Sequence, residues 1–86
     1  MEIKYRKNFE KSFKKLSPKL KQKTISAIEQ FTKDPHNPQL RNHPLKGSLK
    51  GLRAFSITGD VRVIFEEIDN YILVIMLDVG IHNQIY

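Results

Sequence analysis

The spacing of apolar positions changes part-way along the chain. Residues 2–6 read as a short extended opener with Ile3 and Tyr5 on one face. Phe9, Phe13, Leu16 and Leu20 then recur at i, i+4, i+7 and i+11, the spacing of one helical face. Asn8 is the expected N-cap of this first helix. Ser17-Pro18 interrupts it. A serine able to cap, followed by a proline whose missing N–H costs nothing at a first helical position, starts a second helix. Its stripe is Leu20, Thr24, Ile28 and Phe31, with lysines on the far side. Pro35 and Pro38 stop it near Lys33. Two consecutive helices with a short break between them read as a hairpin.

Beyond residue 51 the period drops to two. Strands are expected over 52–57, 61–67 and 71–79, separated by turns at Thr58-Gly59-Asp60 and Asp69-Asn70. Val61, Val63 and Phe65 fall on one face of the middle one, Arg62 and Ile64 on the other. The segment from Tyr71 is apolar on both faces, which predicts the central strand, ended by Gly80. Residues 34–51, including His43-Pro44, read as loop. The resulting order is β-α-α-β-β-β. This is an α+β fold, with a helical hairpin packed on one face of a small, mostly antiparallel sheet and the other face left open.

Composition narrows the function classes. The 86 residues suffice for a single domain, 1–86, with a modest core. Cysteine is absent, which removes disulfides, thiolate nucleophiles and cysteine-bound zinc, and suits a reducing cytoplasm. No apolar run reaches a membrane span, and the first residues lack the apolar stretch of a signal peptide; a cytoplasmic protein without membrane contact is expected. Charge is unevenly placed. Residues 1–53 carry 14 Lys/Arg against 4 Asp/Glu, and residues 54–86 carry 1 against 5. Such asymmetry suits a polyanionic partner, nucleic acid or an acidic protein, although a lysine-rich solvated surface would look the same.

Several chemistries find no residues. There is no phosphate-binding glycine loop and no HExxH motif, and the histidines stand at 36, 43 and 82, too far apart for a zinc signature. Asp60, Glu66, Glu67, Asp69 and Asp78 fall mostly at turns and strand edges, not in the cluster a metal-dependent nuclease needs. No metal or cofactor is expected. Histidine, arginine, lysine and a C-terminal tyrosine remain. His82 follows the last strand and is suited to proton transfer near neutral pH, unless it is merely a solvated tail residue. His43 is either a second such group or an ordinary turn histidine; His36 is assigned no role. Arg62, set among valines, requires an anion, which Glu66, Asp78 or a ligand would supply. Lys46 and Arg53 stand near the start of the sheet, and Tyr86 is placed to stack on a base.

Three segments taken in order carry a resemblance: His43-Pro44-Leu45-Lys46-Gly47-Ser48-Leu49-Lys50-Gly51-Leu52-Arg53, then Asp60-Val61-Arg62-Val63-Ile64-Phe65, then Asp78-Val79-Gly80-Ile81-His82-Asn83-Gln84-Ile85-Tyr86. With the helical hairpin before them, the chain resembles the RelE/ParE superfamily of toxin–antitoxin toxins, and within it the YafQ branch of RelE-type mRNA interferases. The resemblance implies a RelE-like microbial RNase fold, cleavage of mRNA in the ribosomal A site, and neutralisation by a cognate antitoxin. It implies that His82 acts as general acid or base, that Tyr86 supports the mRNA base, that His43 belongs to the site and that Arg62 stabilises the transition state. Asp60 matches an acidic position of the YafQ branch. Lys46, Lys50 and Arg53 would contact RNA near the active face, and Lys14 and Lys15 would help the basic helices grip ribosomal RNA. The chain departs from the pattern where the YafQ branch has an acidic residue and a histidine: here stand Ala54 and Ser56. Such a reaction needs no metal, because RNA supplies its own nucleophile, the 2′-OH. Two alternatives stay open: a ParE-like, non-enzymatic inhibitor of DNA gyrase, and a catalytically weak RNA-binding relative.

Overall fold

A computed structural model of the chain describes residues 1–81; His82 to Tyr86 lie outside the described residues. The elements are β1 (Glu2–Tyr5), α1 (Lys7–Lys15), α2 (Pro18–Lys33), β2 (His43–Pro44), β3 (Arg53–Ser56), β4 (Val61–Ile68) and β5 (Leu73–Ile81), with 3₁₀ turns at Pro38–Leu40 and Gly47–Leu49. The sheet has five strands in the order β1-β5-β4-β3-β2. β1 runs parallel to β5 and every other pair is antiparallel. This is the expected α+β architecture with one additional short strand.

The helix boundaries have local causes. Ser17 Oγ accepts the Leu20 amide at 3.2 Å, and Pro18 occupies the first helical position of α2. Ser17→Ala leaves that amide without its cap and is expected to lower stability by about 0.5–2 kcal/mol, read from urea denaturation midpoints. α1 starts two residues earlier than Asn8 would place it, with Arg6 as an N-cap that makes no side-chain bond. The reason is the strand before it. The Arg6 amide still donates to Met76 O of β5 at 3.0 Å, so the chain leaves the sheet and enters the helix with nothing between.

The helices cover one sheet face. Phe31 of α2 is fully buried between Phe55 of β3, whose ring stacks at 4.7 Å, and Phe65 of β4, which it meets edge-on at 5.0 Å. Val63, Val74, Met76, Val79 and Leu40 belong to the same core, with Phe9, Ala27 and Val61. The second face is not open as expected. Leu45, Ala54 and Ile64 form a smaller core there, with Leu49, Leu52 and Leu77 against it. Residues 45–52 fold back over the sheet, closed by the Leu45 amide donating to Leu52 O at 2.9 Å. Gly47 and Gly51, at φ 66° and 98°, make the reversal; both lie in the left-handed region that side chains resist.

Three strand expectations change. The middle strand is β4, and β5 is the interior strand between it and β1. β5 is apolar on both sides because each sheet face carries a core. It begins at Leu73 because Asp69, Asn70 and Tyr71 all take positive φ, and it passes through Gly80, which pairs with Arg62, to Ile81. A bulge leaves Leu77 unpaired, since Ile64 faces Asp78 while Phe65 faces Met76. Finally, His43-Pro44 is no loop but the edge strand β2, with His43 opposite Ala54.

Candidate active site

The register puts the candidate residues in two rows on the second sheet face. His43, Ala54 and Ile64 are cross-strand partners in one row; Ser56, Arg62 and Gly80 form the next. Partners in register share a face, and Ala54 and Ile64 belong to the smaller core. His43 and Arg62 therefore stand on one surface, two strands and two residues apart.

His43 is held from both sides. Its Nδ1 lies 2.7 Å from Arg41 O. A carbonyl only accepts, so Nδ1 carries the hydrogen, and in the neutral ring Nε2 keeps a free lone pair. Arg41 sits at φ 51°, in the left-handed region, where its carbonyl meets the ring two residues on. Between them, Asn42 is directed to the opposite side. Its Nδ2 donates to Pro35 O at 3.0 Å and to Tyr71 Oη at 2.9 Å, and its Oδ1 accepts from Arg53 Nε at 2.9 Å. The backbone that presents His43 is thus tied to β3, to the β4–β5 turn and to the segment after α2.

Arg62 finds neither Glu66 nor Asp78 as its anion. Its Nη1 donates to Thr58 O at 2.9 Å and Gly59 O at 2.8 Å, clasping the hairpin turn before β4. Asp78 instead accepts from Ser12 Oγ of α1 at 2.6 Å and from the Val79 amide at 2.8 Å. Both Nη1 hydrogens of Arg62 are used by the turn. The Nε–Nη2 edge, which has the fork geometry that matches a phosphate, makes no hydrogen bond among the described residues.

The other candidates divide. Lys46 lies beside His43 in a depression of about 340 Å³ that is also lined by Pro44, Leu45, Ser48 and Leu49. Lys50 is exposed at the end of the same covering segment. Asp60 is exposed in the turn that Arg62 clasps, its amide donating to Thr58 Oγ1 at 3.3 Å. Arg53 pairs with Phe65, which belongs to the helix-side core, so its side chain is on the opposite face, bound to Asn42. Lys14 and Lys15 end α1, which packs against β5 on the helix side, and they are not brought together with His43 and Arg62. Lys15 lines a groove of about 550 Å³ with Ser12, Asp78 and Gly80. His82 and Tyr86 lie outside the described residues. Among the described residues no three His, Cys, Asp or Glu side chains are grouped as metal ligands, and no helix is long and apolar enough to cross a membrane. Sequence reasoning passed over Arg41; its only signal was its place two residues before His43.

A family model described as the bacterial toxin YafQ of type II toxin–antitoxin systems matches residues 1–86. The chain belongs to this family. Solved structures agree in fold. YafQ from E. coli superposes with a TM-score of 0.83 at 21% identity, covering 99% of this chain and 97% of that one. The E. coli DinJ–YafQ complex matches with a TM-score of 0.72 at 24% identity, covering 99% and 97%. A YoeB/ParE toxin from Agrobacterium tumefaciens matches at 0.78 and 15% identity, covering 95% and 99%. A search of curated proteins finds no match. The family model spans both the helical hairpin and the sheet, so the His43 row and the Arg62 row lie on a YafQ-type scaffold.

Proposed function

We propose that this type II toxin is a metal-independent endoribonuclease that cuts mRNA on the ribosome, arrests translation and is neutralised by a cognate antitoxin. The observation that carries the reading is the contact of His43 Nδ1 with Arg41 O, which leaves Nε2 as the ring's acceptor, on the same sheet face as an arginine whose fork edge makes no hydrogen bond among the described residues. His43 Nε2 takes the proton of the ribose 2′-OH. The 2′-oxygen attacks phosphorus, and the P–O5′ bond breaks as His82 donates a proton to the departing oxygen. The products are a 2′,3′-cyclic phosphate and a 5′-hydroxyl. Arg62 answers the charge growing on the phosphate, with Lys46 and Lys50 supplying positive field, while Arg53 acts from the opposite face by holding Asn42. Asp60, in the turn that Arg62 clasps, is the acidic member of the proposed site, and Tyr86 supports the base. Ala54 and Ser56 leave a thin acid–base set, so placement of the mRNA by the ribosome carries much of the rate as a proximity effect. The basic first half of the chain, Lys14 and Lys15 included, holds ribosomal RNA, and that affinity falls steeply with salt. A cognate antitoxin is supported by the DinJ–YafQ complex of E. coli. Cytoplasmic action follows from the ribosomal target.

Programmed 70S ribosomes incubated with the purified toxin, mapped by primer extension, test the reading. Discrete A-site breaks with cyclic-phosphate ends are expected, and far fewer on the same mRNA without ribosomes. Intact mRNA together with inhibited gyrase supercoiling would replace the proposal with the ParE-like reading.

A further inference from the structure

A second depression, of about 190 Å³, is lined in part by Arg41, two residues before the His43 that lines the Lys46 depression. Gln39, Arg41, Ser56, Ile57, Thr58 and Gly59 line it. Both candidate active residues are anchored to its wall, His43 through Arg41 O and Arg62 through Thr58 O and Gly59 O. Three features give it a chemical preference. The lining has two donor side chains, the Arg41 guanidinium and the Gln39 amide, that make no hydrogen bond among the described residues, and it has no carboxylate. Ser56 Oγ is buried without a hydrogen-bond partner, a condition native structures rarely leave unanswered. And Arg41 stands at φ 51°, where glycine or asparagine is the ordinary occupant, so a long cationic side chain is kept there against a backbone preference.

We propose that this depression binds a phosphodiester of the RNA strand next to the one that is cut, with Arg41 as its charge and Ser56 as its hydroxyl partner. The inference rests on the endoribonuclease reading and extends it: the strand runs from the Lys46 depression, past His43, to Arg41. Ser56, at the position that holds a histidine in the YafQ branch, thereby serves binding in this chain.

The test titrates a 2′-deoxy trinucleotide into ¹⁵N-labelled toxin. The probe carries two phosphodiesters and no 2′-OH, so it binds without being cut. Amide shifts are expected at residues 39–41 and 56–59. Arg41→Asn, which keeps the left-handed backbone and removes the charge, is expected to weaken binding about tenfold and to lower the salt slope by about one phosphate contact. Arg41→Lys is expected to restore most of the affinity, and Ser56→Ala to weaken it about threefold, the scale of one neutral hydrogen bond. Shifts confined to the His43–Leu49 side, an unchanged affinity and salt slope in Arg41→Asn, or a trinucleotide affinity no greater than that of inorganic phosphate would each overturn the proposal. Should Arg41→Asn fail to fold, the wild-type shift map and Arg41→Lys decide. Ribosomal cleavage without shifts at 39–41 and 56–59 removes the subsite alone. Shifts there without cleavage of ribosomal mRNA remove the endoribonuclease reading and leave the phosphodiester site.

Discussion

Replacing His43 by asparagine is expected to slow ribosome-dependent cleavage by about 10²- to 10⁴-fold, the usual contribution of positioned proton transfer. Asparagine suits the test because its amide nitrogen stands close to where Nδ1 stands. It can keep the donation to Arg41 O, and with it the β2 backbone, while removing Nε2. The loss would then report on proton transfer and not on a collapsed edge strand, and an unchanged melting temperature checks this. The pH profile adds an independent reading. A base must be deprotonated to act, so the wild-type rate should climb with pH on its acidic side, and that limb should be missing in His43→Asn. An acid must be protonated, so His82→Ala should lose the opposite limb. The two groups serve one displacement, so the double variant should fall by much less than the product of the single losses. Cleavage by His43→Asn within twofold of wild type would take the base role away from His43. Retention of the alkaline limb in His82→Ala would do the same for the acid role of His82.

The parts of this protein that were legible in the sequence are those set by local rules. Ser17-Pro18 announces a helix start with two atoms, an oxygen that caps and a nitrogen with no hydrogen. The alternation Val61-Arg62-Val63-Ile64 states which side chains share a face. The parts that were not legible depend on contacts distant in sequence. His43-Pro44 has no strand pattern because two residues cannot show a period; it is a strand only because Arg53 and Ala54 lie beside it. The cover over the second face is written in Leu45, Leu49 and Leu52, but their burial needs Ile64 and Ala54 beneath them. Arg62 reads as needing an anion from Glu66, Asp78 or a ligand, and among the described residues backbone carbonyls take its Nη1 while neither carboxylate bonds it, because a turn closes directly against its side chain. Such a pairing leaves no trace in residue type. The same holds for Arg41, whose importance comes from a backbone angle and a carbonyl.

Phe31→Ala is expected to be the most destabilising single change in the helical layer, about 3–5 kcal/mol. Its ring is fully buried, stacked on Phe55 and edge-on to Phe65, so no neighbour has solvent from which to refill the space. A chain of this size has roughly 4–13 kcal/mol of stability in total. At about 4–8 °C per kcal/mol, the melting temperature should fall by at least about 12 °C. Ile25→Ala, on the same helix but with 44% of its side chain exposed, is the control and should move stability by less than about 1 kcal/mol. The consequence should reach the candidate site before the whole domain unfolds. Phe31 also meets Tyr71 edge-on at 6.0 Å, and Tyr71 Oη takes the Asn42 amide hydrogen that holds the backbone between Arg41 and His43. Phe55, its stacking partner, lies between Ala54, which pairs with His43, and Ser56, which pairs with Arg62. Below its own melting point, Phe31→Ala should therefore show faster amide hydrogen exchange at residues 41–43 and 53–56 than at β5, and a cleavage rate that falls further than its folded fraction. A cost under about 1.5 kcal/mol would mean that the aromatic cluster re-closes around the gap, and that His43 is held by its hydrogen bonds without help from the core.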